Sequence, residues 1–130
     1  MNGNVYLFYG PDRLPLQTKS DELLAARGIE AFDVELFDME ELSVDEAVAA
    51  AMTIPFLSER KAVVLRNAYF LSAAAKPAKE PEHHLERLTE YLAHPNPTTL
   101  FIVQTTADKL DTRKALCRAF AEKGSITECL

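Results

Sequence analysis

The sequence has little cysteine, no long apolar run and a shortage of positive charge, and each deficit excludes a class of protein. Cys117 and Cys129 are too few and too widely spaced for a disulfide framework or a zinc site, which favours a reducing cytosolic compartment. The longest apolar run, Ala47–Met52, is far shorter than the ~20 residues that cross a bilayer, so we expect no membrane partner. A net charge of −6 argues against a domain that binds the phosphates of DNA over a broad surface.

The 130 residues, of which 48% are hydrophobic, suit one domain with one buried core. The first residues contain no basic segment followed by an apolar core, so no signal peptide is predicted. Apolar segments predict strands at Val5–Tyr9, Phe32–Phe37, Ala62–Leu65, Thr98–Thr105 and Ile126–Cys129. Helix starts are predicted from the capping residues Asp12, Ser43 with Glu46, and Asp111, and helix ends from Gly28, His94 and Gly124.

Strands that alternate with helices indicate parallel pairing, so the predicted fold is α/β, with three layers around a five-stranded parallel sheet. In the second strand Phe32, Val34 and Leu36 alternate with acidic residues, which is typical of an edge strand with one covered face. Because the chain stops directly after a predicted strand, we expect residues 1–130 to be a single domain of a longer protein.

The segment just before the third strand carries the strongest functional signal. Pro55 has no backbone N–H and disfavours helical angles at Ile54, so the preceding helix is predicted to end near Met52 or Thr53. Phe56 and Leu57 follow directly. Large apolar side chains at such a broken helix end either cover the core or project as an anchor for another protein.

A strand followed by Gly10 and a helix is also how a P-loop begins. That loop needs Gly-x-x-x-x-Gly-Lys-[Ser/Thr], whose backbone N–H groups, lysine and hydroxyl hold the phosphates and Mg²⁺. Its second half is occupied here by Pro15, Leu16 and Gln17. The acidic Walker-B pair is also missing, since Arg66-Asn67 follows the third strand. We therefore predict no ATP hydrolysis and no cofactor.

Taken together, these segments resemble the N-terminal domain of the bacterial DNA polymerase III delta subunit, the clamp-loader subunit that binds and opens the sliding clamp. The resemblance covers essentially the whole chain, and the order of the motifs supports it. The motifs are VYLFYG at 5–10, FD at 37–38, PFLSERKAVVLRNA at 55–68, EYLAHP at 90–95 and KLDTRK at 109–114. The most specific of them is the proline-Phe-x-Ser-x-Arg segment that leads into a valine-rich strand.

The resemblance implies an AAA+ fold of the P-loop-like type without working Walker A and Walker B residues, in agreement with the missing lysine and acidic pair. It implies that the helix end carries a hydrophobic plug for a pocket on the clamp. Ile54 and Phe56 match the plug by position, with Met52 and Leu57 beside it. The implied function is that of a non-catalytic subunit of a DNA-directed DNA polymerase holoenzyme, acting in DNA replication.

The resemblance also implies the partners. They are the sliding clamp, or beta subunit, and the other clamp-loader subunits in the full-length protein, with DNA reached only through the complex. Arg60 and Lys61 would contact acidic residues of the clamp or lie on a solvated rim. Family members continue into lid and collar domains, which are not expected within residues 1–130, and the implied location is the replisome in the cytoplasm.

The residues alone leave other interpretations open. Ile54, Phe56 and Leu57 would be core residues in most proteins, and Met52 is expected to pack inward. His83-His84 are adjacent, so on a helix they point about 100° apart and do not form a metal-binding pair. The alternative functions are a divergent nucleotide-binding domain and an acidic scaffold domain for another protein partner.

Overall fold

The computed structural model describes residues 3–55, 57–73 and 76–130. Within these ranges the strands are β1 (Val5–Tyr9), β2 (Val34–Asp38), β3 (Lys61–Arg66), β4 (Thr99–Thr105) and β5 (Ser125–Glu128). They form one sheet in the order β2-β3-β4-β1-β5, and every neighbouring pair is parallel. The predicted five-stranded parallel sheet is confirmed.

The helices within the same ranges are α1 (Arg13–Ala26), α2 (Val44–Ala51), α3 (Leu85–Ala93) and α4 (Ala115–Lys123). None of these described helices combines the length and apolarity needed to span a membrane. Successive strand residues point to opposite faces of the sheet and so build two cores. Val63 and Phe101 pack on the face that carries α2, α3 and α4, whereas Val64 and Ile102 pack on the face that carries α1. The predicted three layers are confirmed.

A glycine sets the end of α1. Gly28 has a φ of +68°, a conformation that residues with a Cβ rarely adopt. Its N–H donates to the Ala25 carbonyl at 3.1 Å, and the Ile29 N–H donates to the Leu24 carbonyl at 3.0 Å. This Schellman pattern ends the helix where the sequence predicts and directs the chain towards β2.

The second strand begins later than predicted and lacks the covered face expected for it. Residues Ala31–Asp33 form a 3-10 turn, and the side chains of Phe32 and Leu36 are 75% and 48% exposed. The turn removes Phe32 from the strand alternation. The partly buried apolar residues of β2 are Val34 and Phe37, and the strand lies at the edge of the sheet, as predicted.

The predicted cap of the last helix is wrong. α4 begins after Lys114, three residues beyond the predicted cap. The Asp111 carboxylate accepts hydrogen bonds from the backbone N–H of Arg113 at 3.2 Å and from its guanidinium at 3.0 and 3.1 Å. Short aspartate side chains form such local bonds in place of a helix cap, so this residue closes a turn ahead of α4.

Candidate protein-binding site

Helix α2 carries the predicted anchor, and its start is firmly capped. The Ser43 hydroxyl accepts from the Glu46 N–H at 3.2 Å, and the Glu46 carboxylate accepts from the Ser43 N–H at 3.1 Å, which confirms the predicted capping box. The Val44 N–H donates to Nδ1 of His83 at 2.9 Å, and Nε2 of that ring lies 2.9 Å from the Met39 carbonyl oxygen. Sequence reasoning missed this histidine, because the helix start it supports is 39 residues away.

At the other end of α2, large apolar side chains face the solvent. Met52 is 66% exposed, Ile54 85% and Leu57 83%. We call the surface formed by these three side chains the tip. Phe56, the other predicted plug residue, lies outside the described residues. Exposed apolar side chains concentrated in one short segment are typical of a protein-binding site.

The exposure of Met52 shows that the prediction of an inward-packing side chain is wrong. Its position four residues after Val48 would continue the buried stripe of α2 if the helix continued. The helix ends at Ala51, however, and Met52 is the C-cap residue, whose N–H donates to the Val48 and Ala49 carbonyls. The chain leaves the helix here, so the side chain points to solvent and joins the tip.

The carbonyl groups at the end of α2 are bound by a buried lysine. Lys61, the first residue of β3, is 7% exposed, and its ammonium group donates to the Ala50 carbonyl and to the Thr53 hydroxyl. The Glu35 carboxylate lies 4.0 Å from the same nitrogen. A cation is favourable at a helix C-terminus because the carbonyls there carry partial negative charge. This burial corrects the expectation that Lys61 lies on a solvated rim or contacts the clamp.

Two side chains, one just before β4 and one at its first residue, bind the same region. The Asn96 amide donates to the carbonyls of Ala51 and Thr53 at 3.1 and 3.3 Å. The Thr99 hydroxyl donates to the Ala51 carbonyl at 3.0 Å. The last carbonyls of a helix have no partner within the helix, so these contacts satisfy them and fix the direction in which the tip leaves α2.

Arg60 follows the tip in sequence and, with Phe32, lines a polar hollow of about 450 Å³. The Ser58 hydroxyl donates to the Asp33 carboxylate at 2.7 Å and so ties the chain after the tip to the start of β2. Arg60 is exposed, and within the described parts of the chain it forms no ion pair. Its guanidinium is therefore accessible to a partner.

The positions that bind phosphate and Mg²⁺ in a P-loop carry side chains that contact other protein groups. Leu16, at the position of the P-loop lysine, is 1% exposed in the core that α1 covers. Gln17, at the position of the serine or threonine, accepts a hydrogen bond of 2.8 Å from Arg66. Arg66 is the last residue of β3 and occupies the position of a Walker-B acid. The Gly10 N–H donates to the Thr105 carbonyl at 3.3 Å. These residues do not fit a nucleotide phosphate with Mg²⁺.

Two more residues at this sheet edge make close contacts with other parts of the protein. Asn67, which has a φ of +56°, donates to the Asp38 carboxylate at 3.0 Å and accepts from the Arg13 guanidinium at 3.3 Å. A Cβ at Gly10 would lie 2.0 Å from the Cys129 carbonyl oxygen. Glycine is therefore required here by the close approach of the chain after β5, which explains the residue without a phosphate.

Comparison with known proteins agrees with this geometry. The sequence model of the family described as DNA polymerase III, delta subunit, matches residues 6–130. The chain is 34% identical over 127 residues to DNA polymerase III subunit delta of Bacillus subtilis (strain 168), which covers 95% of this chain and 36% of that protein. The solved structure of the Bacillus subtilis DNA clamp loader delta protein matches with a TM-score of 0.87 and 32% identity, over 97% of this chain and 38% of the other.

A gamma subunit-related protein of DNA polymerase III from Thermotoga maritima has the same fold, with a TM-score of 0.65 at 15% identity over 98% of this chain and 41% of that one. The chain spans little more than a third of the length of its Bacillus subtilis relatives. The family match extends over nearly all of the chain and includes both α2 and the residues at the P-loop position. The chain belongs to the DNA polymerase III delta subunit family, a family of clamp-loader subunits in DNA replication.

Proposed function

We propose that this chain is a non-catalytic clamp-loader domain that binds the sliding clamp, or beta subunit, through the tip and helps to open it during chromosomal DNA replication. The observation that carries the proposal is the exposure of Ile54 and Leu57 at the end of a firmly held helix, in a chain of this family. Phe56 lies between them in sequence and completes the proposed plug, with Met52 beside it. Arg60 is proposed to contact acidic residues of the clamp.

The tip supplies enough apolar surface for such binding. Burial of one large apolar side chain contributes roughly 1.5–3 kcal/mol. A few such anchors give an affinity of about micromolar strength after the entropy cost of association is subtracted. Anchors on a rigid helix end lose less conformational entropy on binding than anchors on a flexible loop, because they are already ordered.

Opening a ring requires no chemistry from the domain. A bound tip shifts the clamp towards the open form if it fits the open clamp interface better than the closed one. We propose that ATP is used by other clamp-loader subunits, with which the full-length protein assembles, and that DNA is reached only through that complex. The proposed location is the nucleoid-associated replisome in the cytoplasm.

The proposal is tested by measuring the affinity of the chain for purified sliding clamp by isothermal titration calorimetry. Replacement of both Ile54→Ala and Phe56→Ala is expected to weaken binding by at least about 100-fold, because two central apolar anchors contribute over 2 kcal/mol each on truncation. Leu14→Ala is the matched control. Leu14 is 75% exposed but lies near β5, at the opposite edge of the sheet from β2.

The circular dichroism spectrum of each variant shows whether it is folded. Leu14→Ala is expected to bind the clamp with unchanged affinity, because its side chain lies far from the tip along the sheet. A folded double variant that binds the clamp as tightly as the wild type would contradict the proposed plug. A wild-type chain that gives no binding would contradict the proposed function itself.

A further inference from the structure

We propose that Lys61 is a positioning residue of the clamp-binding site. Its buried ammonium group binds residues 50–53, which we call the base of the tip, and so keeps the anchor side chains ordered before the clamp binds. The inference rests on the proposed function, because it names a residue that supports the same site. Lys61 itself is buried, so it cannot contact the clamp directly. Any effect of this residue on clamp affinity must therefore act through the tip.

The contacts of Lys61 close a loop in the chain. Thr53 directly precedes Ile54, the most exposed of the three tip residues, and Lys61 begins the strand that follows the tip segment. The bond from the Lys61 ammonium to the Thr53 hydroxyl therefore joins the two ends of this segment. A second bond, to the Ala50 carbonyl, attaches the closed loop to the last turn of α2. The tip thus projects from a base that is fixed at both ends.

The choice of a lysine at this place is informative because burial of a charged group is costly. A buried apolar residue on β3 would fill the same space without that cost, and strands that are covered on both faces usually carry apolar residues. The ammonium gains hydrogen bonds and the field of the helix C-terminus, but the Glu35 carboxylate is only at the limit of ion-pair distance, at 4.0 Å. Its specific effect is to fix two groups, the Ala50 carbonyl and the Thr53 hydroxyl, that define the exit of the tip.

Asn96 binds the same base through its side-chain amide. Its amide binds the carbonyls of Ala51 and Thr53, so that both lysine and asparagine contact the residue before Ile54. Without these contacts, binding would require the tip to become ordered, and that ordering weakens affinity even though the contact residues are unchanged. A positioning residue changes the clamp affinity of the folded chain in this way. A residue that only stabilises the fold leaves that affinity unchanged.

The experiment compares Lys61→Met with Lys114→Met in the 130-residue chain. Lys114 offers a matched control because its ammonium also binds two backbone carbonyls, those of Phe70 at 2.8 Å and Ser72 at 3.1 Å, ahead of α4. At a temperature where both variants are fully folded, Lys61→Met is expected to weaken binding to purified sliding clamp by about tenfold. Lys114→Met is expected to leave this affinity within about twofold of the wild type, since surface sites away from the interface contribute little.

Two further readouts distinguish positioning from general stability. Amide hydrogen exchange at residues 52–60 is expected to accelerate in Lys61→Met and not in Lys114→Met, because the tip opens locally without its base. In a double-mutant cycle, Ile54→Ala is expected to reduce clamp affinity less in the Lys61→Met background than in the wild type. The reason is that a disordered Ile54 side chain contributes less to the free energy of binding. If Lys61→Met does not fold, Asn96→Ala provides the same comparisons.

A folded Lys61→Met variant that binds the clamp with wild-type affinity and shows unchanged exchange at the tip overturns the inference. This outcome is separate from failure of the proposed function. If Ile54→Ala weakens binding while Lys61→Met does not, the tip binds the clamp and the lysine does not position it. If the wild-type chain does not bind the clamp, both proposals fail.

Discussion

The Arg66 guanidinium donates a hydrogen bond of 2.8 Å to the side-chain oxygen of Gln17, which joins α1 to the carboxyl end of β3. The two residues occupy the positions from which a P-loop protein would bind Mg²⁺, those of the loop hydroxyl and the Walker-B acid. A direct contact between two protein side chains therefore takes the place of a bound cation. This contact links the first helix to the sheet at the positions where a P-loop protein would bind the cation.

Gln17→Ala is expected to lower the free energy of unfolding by about 1–3 kcal/mol, because a partly buried guanidinium loses its acceptor. The Nε atom of Arg66 is already buried without a hydrogen-bond partner in the described parts of the chain. Loss of the Gln17 oxygen would therefore leave a second nitrogen of the same guanidinium without its acceptor. Urea denaturation followed by circular dichroism measures the change. Asp21→Ala removes the other partner of Gln17, an exposed contact of 2.8 Å, and is expected to cost no more than about 0.5 kcal/mol. Equal losses in the two variants would contradict a specific role for the Arg66 contact.

ATP with Mg²⁺ is expected to give no binding tighter than about 100 μM in isothermal titration calorimetry. The side chain at the position of the P-loop lysine is the buried Leu16, and Gly10 donates its N–H to the Thr105 carbonyl. For the same reason Leu16→Lys is not expected to restore nucleotide binding, since it places an unpaired charge in the core and lowers the melting temperature. Saturable binding of ATP by the wild type below that concentration would support the alternative function, a divergent nucleotide-binding domain.

The sheet and its connections could be predicted because the strongest signals in the chain are local. The apolar residues of β3 and β4 are covered on both faces, so these strands stand out as continuous runs. The capping box at Ser43 and the glycine at position 28 satisfy backbone groups within a few residues of themselves. Local bonds of this kind leave a pattern in the sequence that one chain is enough to reveal.

The site was predicted less completely because its geometry depends on distant contacts. The end of α2 is set by Lys61, Asn96 and Thr99, and the last two lie at least 43 residues from the carbonyls they bind. Spacing therefore assigned Met52 to the core, and the resemblance assigned Lys61 to the surface, whereas Met52 is exposed and Lys61 is buried. The exposure of Ile54 and Leu57 agrees with the prediction of outward-facing anchors, but their function as a plug stays a prediction.

Ser20→Ala is expected to destabilise the chain by about 1–3 kcal/mol, because it leaves a buried amide unsatisfied. The Ser20 hydroxyl accepts from the Gln104 amide at 2.7 Å and donates to the Leu16 carbonyl at 3.0 Å, and both side chains are buried between α1 and β4. Thermal denaturation detects the change. Thr18→Ala on the exposed side of the same helix is the control, with little expected effect. If the serine variant is as stable as the control, the buried contact contributes nothing to the fold.

The stability of the chain is expected to depend on pH through the contact between α2 and α3. Nδ1 of His84 lies 2.6 Å from the Asp45 carboxylate, which raises the pKa of the imidazole above its ordinary value of 6.5. Burial acts to raise the pKa of Asp45, but its hydrogen bonds with the side chain and backbone of His84 outweigh this and lower it below 3.8. A group whose pKa is raised by folding stabilises the protein fully below its unfolded pKa and loses that contribution as the pH rises through the folded value.

Stability is therefore expected to be highest between about pH 4 and 6.5, where the histidine is charged and the carboxylate ionised, and to fall on either side. Urea denaturation at a series of pH values measures this profile. His84→Gln is expected to flatten the alkaline side of the profile, because the variant has no imidazole to lose its proton. His94→Gln is the control, since that exposed ring forms no ion pair within the described residues. An alkaline decline that persists unchanged in His84→Gln would contradict the assignment to the Asp45 contact.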